Sequence, residues 1–290
     1  MIRPVPRNPL FGPQLPASLG EGGLYNGIAS QLAINNTAYV TGFPTDDPEA
    51  FLTLLRKLGK PLEAQESDGL PPDRTLPPSI NAVNCTPLTE GSPHLPDRGA
   101  DLPLHSGRVH SALRPRYIAQ LMVNAGWRDD QPGNLGESKA VRWTDVLASM
   151  KATSPETYAR DFSLLVGTEL TITAPTPADT VSTLPLVYPS ERSSSGVDLG
   201  ARLSLTMEEQ FATAGVPTER AARYREALSR FELVANHPSV YHTYDMAVGD
   251  LVILDNNLLG HGRCSYTKVR TTSHGTSEEN PREVWITMLM

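Results

Sequence analysis

Cysteine is nearly absent: Cys85 and Cys264 are the only two in 290 residues, which excludes a disulfide framework, and no Cys pair has zinc-site spacing. A reducing, cytoplasmic setting fits that shortage. Basic residues are also in deficit, with 25 Lys and Arg against 32 Asp and Glu and a net charge of -7. Such a chain lacks the positive footprint that binding to a phosphate backbone requires, so nucleic acid is not the expected partner. Long apolar runs are missing too. The first sixteen residues combine basic side chains with several prolines and are expected to form neither a signal peptide nor a membrane anchor. What remains is a small-molecule partner.

Proline and glycine, by contrast, are plentiful, at 26 and 22 residues, and predict many turns joining short strands. The length suits one elaborated domain over residues 1–290. Stretches 63–79 and 189–200 are rich in Pro, Gly, Ser and Asp and read as exposed loops. A short helix starts at Gly27, and residues 37–43 alternate as a strand. Residues 48–58 carry Phe51, Leu54, Leu55 and Leu58 at helical spacing and stop at Gly59, with Pro61 beyond. From Ser79 onward strand signals dominate, at 80–85, 117–123, 164–173, 184–188, 251–254 and 284–290. One helix interrupts them at 218–234, with Thr218 and Glu219 at its start and Ala222, Tyr224, Leu228 and Phe231 along one stripe. Helices first and strands thereafter predict a mainly β, α+β, double-sheet architecture.

Two segments carry chemistry. In the first, the turn Gly249-Asp250 feeds the apolar run Leu251-Val252-Ile253-Leu254, which ends in Asp255-Asn256 and is followed by Gly260-His261-Gly262-Arg263. A histidine just beyond a buried strand, with glycines leaving space around it, is placed to bind a metal inside a sheet sandwich, although such a histidine is more often structural. The second segment is Asp101-Leu102-Pro103-Leu104-His105-Ser106-Gly107-Arg108-Val109-His110-Ser111.

In this order the two segments resemble the taurine dioxygenase and clavaminate synthase-like family of iron(II)/2-oxoglutarate oxygenases. That resemblance spans most of the chain and implies a double-stranded β-helix (jelly roll) with N-terminal helices. It also implies an insertion at about 190–240, helical near 197–234, covering the metal mouth. The family's Leu-x-x-His-x-Asp/Glu segment falls on Leu102 to Gly107 and makes His105 the first iron ligand. Its Gly-Asp-Leu-x-x-x-Asp-Asn-x-x-x-x-His-x-Arg segment falls on Gly249 to Arg263 and makes His261 another. The implied cofactors are Fe(II), 2-oxoglutarate and O2. Arg282 takes the position that holds the cosubstrate's distal carboxylate, and Ser138, in Gly136-Glu137-Ser138, stands where the family has a threonine. A guanidinium suits that task because its planar fork donates two hydrogen bonds to one carboxylate.

The chain departs from the family at Gly107, where the third ligand should be Asp or Glu. An iron site with two imidazoles and no carboxylate has room for a small anion such as chloride, as in the iron/2-oxoglutarate halogenases, with Ser106 and Arg108 beside it to steady the halide. Halogenation of a small molecule, an amino acid or related metabolite, is therefore the favoured expectation. Hydroxylation, desaturation or ring closure at a non-standard iron site is the alternative, and a non-catalytic small-molecule binder is the alternative outside the enzyme class. Glu137 or Asp129 could instead supply a distant carboxylate. His110 lies an odd number of residues from His105, so both cannot point inward on one regular strand. His242 and His274 read as surface or lid residues, and Cys264 as packing.

Overall fold

A computed structural model of the chain describes residues 10–63, 76–84, 100–109, 114–126, 136–172, 182–190, 198–204, 218–266, 269–271, 277–280 and 282–290. After β1 (Leu15–Pro16) and a 3-10 turn over Ala17–Leu19 come α1 (Gly20–Asn35), β2 (Thr37–Thr41), α2 (Pro48–Leu58), β3 (Asn81–Asn84) and β4 (Leu102–His105). The middle of the chain supplies β5 (Tyr117–Asn124), β6 (Ser138–Arg142), α3 (Trp143–Thr153) and α4 (Pro155–Gly167). Two hairpins follow, β7 (Glu169–Ile172) with β8 (Ser182–Pro185) and β9 (Val187–Pro189) with β10 (Leu199–Ala201). The rest is α5 (Thr218–Ala235), β11 (His242–Tyr244), β12 (Leu251–Asp255), β13 (Leu259–Arg263), the hairpin β14 (Val269–Thr271) and β15 (Ser277–Glu279), and β16 (Glu283–Leu289).

Six strands form a large sheet in the order β1-β2-β12-β5-β16-β3, and four form a small one, β11-β6-β13-β4. The chain passes back and forth between them: β4, β6, β11 and β13 belong to the small sheet, and β5, β12 and β16 to the large one. Ile118, Met122, Val252, Leu254 and Val284 of the large sheet meet Ala140, Tyr244 and Leu259 of the small sheet in a shared core. Because strand side chains alternate, the neighbouring residues point outward. Ala38, Val40, Ala119, Leu121, Leu251, Ile253 and Trp285 bury the outer face of the large sheet against α1 and α2. Leu104 and Val141 bury the outer face of the small sheet against α3, which contributes Trp143, and against α4 and α5. Each side chain of Leu or Phe size buried in these layers contributes about 1.5–3 kcal/mol.

Local sequence explains most elements. Helix α2 starts at Asp47, whose carboxylate accepts from the Ala50 N–H at 2.9 Å, with Pro48 in its first turn, and matches the expected 48–58. It stops at Gly59, where a Cβ would lie 2.2 Å from the Met290 carbonyl oxygen. Helix α1 is much longer than the short helix expected from Gly27. Leu24, Ile28 and Leu32 line its buried face, and Gly20, Gly22 and Gly23 before them, with Gly27 between, dilute that stripe in the sequence. The strand expected at 164–173 is corrected: α4 continues to Gly167 and only Glu169–Ile172 is extended. Phe162 and Leu165 pack at helical spacing, and a short apolar run of this kind fits helix or strand equally well until its neighbours are known.

Helix α5 also corrects an expectation. Tyr224, Ala227, Leu228 and Phe231 pack with Leu104, Val141 and Trp143, on the side of the small sheet opposite the inner core. The helix buttresses the sheet from behind and does not itself cover the inner face; residues 205–217 of the expected lid lie outside those described. Among the described residues no helix is long and apolar enough to cross a membrane.

Candidate metal and carboxylate site

The chain reverses between β12 and β13 around Asp255, which is 1% exposed. Its carboxylate accepts the N–H groups of Asn257 at 3.0 Å and Leu258 at 3.3 Å, and burial pushes its pKa up to about 6. Asn256, next in the turn, reaches across to the segment that follows β4. Its Oδ1 accepts the Gly107 N–H at 2.8 Å, and its Nδ2 donates to the carbonyls of Gly107 at 3.0 Å and Pro115 at 3.2 Å. The two segments singled out from the sequence are thus joined by one buried amide.

This turn sets the register of the small sheet. His261 follows the buried strand β12, as expected, but sits within a strand of its own, β13, where it is the cross-strand partner of His105 on β4. Side chains of paired residues share a face, and the ring centroids are 4.4 Å apart with an interplanar angle of 52°. A bulge follows, since Arg263 pairs with Leu102, so β4 spends one extra residue there. Gly262 permits it, because a Cβ there would lie 2.6 Å from the Leu102 carbonyl oxygen. Gly260 admits the indole of Trp143 beneath the strand, with a Cβ position 2.3 Å from the ring. Trp143 is fully buried. Gly260→Ala is therefore expected to cost about 3 kcal/mol of stability in urea denaturation, whereas a loss below ~1 kcal/mol would show that the indole can shift.

His261 is buried and His105 partly so. Desolvation holds both rings below the ordinary imidazole pKa, His261 well below it, and Lys139 and the facing His105 add charge repulsion to the two rings respectively. Both are therefore neutral near pH 7, the form that offers a lone pair to a metal. His105 donates its Nδ1–H to the Pro103 carbonyl at 2.9 Å, which leaves Nε2 as the free lone pair. His261 Nδ1 is buried with no hydrogen-bond partner. Two neutral, convergent imidazoles with an unspent buried nitrogen fit a first-row metal ion such as iron(II).

Among the described residues no third His, Cys, Asp or Glu joins the pair. Glu137 is thus not grouped with the pair in this structure; Asp129, His110 and His274 lie outside the described residues. Gly107 is buried, and a Cβ there would lie 2.6 Å from the Met288 methyl and 3.3 Å from Asn256 Oδ1. The space next to the glycine is occupied by a movable thioether. The two halide-steadying residues are committed elsewhere: Ser106 Oγ donates to the Ala201 carbonyl at 3.0 Å, and the Arg108 guanidinium donates to the Glu63 carbonyl. Arg108 takes a left-handed backbone, φ 49°, as the chain leaves the site.

Arg282 and Ser138 come together although 144 residues separate them: Arg282 Nη2 donates to Ser138 Oγ at 3.3 Å, and both residues are buried. Tyr244, paired in register with Ser138, stands beside them and was missed in the sequence. Its signal there was faint: it lies two residues after His242, on the same face of a three-residue strand. His242 itself, expected at the surface or in a lid, is half-buried on β11 in the row that runs through Ala140 to His261. Cys264 is a buried thiol whose pKa burial raises, in keeping with packing.

No protein-family model matches the chain, and none of the curated proteins does. Solved structures do. An asparagine oxygenase in complex with Fe(II), (2S,3S)-3-hydroxyasparagine and succinate is 18% identical, with a TM-score of 0.61 over 93% of this chain and 79% of the other. The non-heme iron oxygenase OrfP, in complex with Fe and alpha-ketoglutaric acid, is 16% identical, with a TM-score of 0.61 over 93% and 81%. PvcB, an Fe, alpha-ketoglutarate dependent oxygenase from an isonitrile synthetic pathway, is 15% identical, with a TM-score of 0.59 over 96% and 83%. This chain therefore has the fold of the iron and 2-oxoglutarate oxygenases that these structures represent.

Proposed function

We propose that the protein is an iron(II)/2-oxoglutarate-dependent oxygenase, a double-stranded β-helix enzyme that functionalises a C–H bond of an amino acid or a related small metabolite. The observation that carries this reading is the in-register pair of neutral imidazoles, His105 and His261, on the inner face of the small sheet. These two side chains would hold the iron, and Arg282 with Ser138 would hold the distal carboxylate of the cosubstrate. Iron with 2-oxoglutarate and O2 supplies the oxidant for C–H chemistry, so no side chain is needed as a general base. The protein contributes position and dryness: Ala140, the register partner of His261, belongs to the apolar core between the sheets, which would keep water from that side of the site. Amino-acid chemistry is supported by the similar asparagine oxygenase, which holds a hydroxylated asparagine.

Anaerobic addition of Fe(II) and 2-oxoglutarate tests the reading. A weak visible charge-transfer band is expected; its absence at saturating metal would favour a non-catalytic binder. Halogenation stands as a second reading because no carboxylate of the described residues joins the two imidazoles. A chloride taking that place would need the Met288 thioether to turn aside. The expected outcome is a product that gains the mass of chlorine only when chloride is supplied, and a product that never carries halogen removes this reading. Gly107→Asp, with Met288 displaced, is then expected to divert the reaction to hydroxylation.

A further inference from the structure

Beside the Arg282 and Ser138 pair stands a third polar group, the Tyr244 hydroxyl. Ser138 Oγ accepts from Arg282 and turns its own hydrogen to the Met246 sulfur at 3.6 Å, a weak acceptor. Tyr244 is 7% exposed and its hydroxyl, next to Ser138, meets no acceptor of good hydrogen-bond geometry. The ring is well anchored, edge-on to Phe11 at 5.0 Å and 76°. Burial keeps the phenol protonated, against the opposing pull of the Arg282 charge, so it retains an O–H to donate at neutral pH. Buried polar groups without partners are rare, and here the unspent phenol adjoins a guanidinium and a hydroxyl.

We infer that Tyr244 is a binding residue for the cosubstrate, its hydroxyl donating to the distal carboxylate that Arg282 and Ser138 also grip. A carboxylate brings two oxygens with about four acceptor sites, enough for all three donors at once. The inference rests on the proposed function and adds a residue to it. Among the described residues the phenol has no well-aligned hydrogen-bond partner, its contact with the Ser138 hydroxyl being of poor geometry, so its removal bears on binding more than on stability.

The experiment uses the full chain loaded with manganese(II), which blocks turnover, and titrates 2-oxoglutarate and 2-oxobutyrate, the latter lacking the distal carboxylate, by calorimetry. Tyr244→Phe is expected to weaken 2-oxoglutarate about tenfold, the effect of one hydrogen bond to a charged group, and to leave 2-oxobutyrate unchanged. The metal-free variant should melt at or above the temperature of the wild type, because a buried hydroxyl without a well-aligned partner has been removed. Equal weakening of both oxoacids, unchanged 2-oxoglutarate affinity, or a lower melting temperature would overturn the inference. Failure of the wild type to bind 2-oxoglutarate would overturn the proposed function itself, and this assignment with it.

Discussion

Replacing His261 with alanine is expected to abolish iron binding at micromolar metal, with the anaerobic charge-transfer band lost and affinity down by at least about a hundredfold. Loss of a residue that merely orients a metal ligand costs ~10–100-fold, and His261 would be a ligand itself. Only His105 would remain, and no other His, Cys, Asp or Glu of the described residues stands near enough to replace the lost ring. The same variant should change the acid sensitivity of the metal-free protein. Burial lowers the His261 pKa in the folded state, whereas in the unfolded chain the ring takes up a proton near its ordinary value of 6.5. The stability held by the neutral ring is therefore complete above that value and is lost as the pH falls below it. Melting temperatures followed from pH 8 down to about 5 should drop more steeply for the wild type than for His261→Ala. An intact band in the variant would refute the metal assignment.

Arg282→Ala is expected to raise the KM for 2-oxoglutarate about a hundredfold while kcat at saturation changes far less. Two charge-assisted hydrogen bonds from one guanidinium account for a loss of that size. The side chain spans from the start of β16 to Ser138 on the opposite sheet, so its removal empties the carboxylate end of the site and leaves the imidazole pair in place. Arg282→Lys should recover only part of the loss, because a single ammonium cannot reproduce the planar fork. A KM unchanged in Arg282→Ala, measured by succinate release at varied 2-oxoglutarate, would remove Arg282 from the cosubstrate site.

Several features were legible before any coordinates. The run at 251–254 was apolar enough to mark a buried strand, and Gly59 with Pro61 marked the end of α2. Motif resemblance singled out His105, His261, Arg282 and Ser138, and flagged Gly107 as the odd position. Other features were hidden for physical reasons. The apolar run at 164–166 has no period long enough to separate helix from strand, and the end of α4 was misread. Tyr244 and His242 sit on a strand of three residues, too short to show alternation.

Sequence by itself determined which residue types are present for the chemistry: two histidines in recognisable surroundings, a late arginine, and a glycine where a carboxylate was expected. Those facts are local, written in side-chain identity and short spacing. Only the tertiary structure decided that His105 faces His261 ring to ring, that Asn256 ties Gly107 to the β12–β13 turn, that Met288 fills the space beside Gly107, and that α5 lies behind the small sheet. Each of these follows from the register of strands far apart in the chain, and register is set by bulges, close glycine contacts and the packing of both sheet faces together.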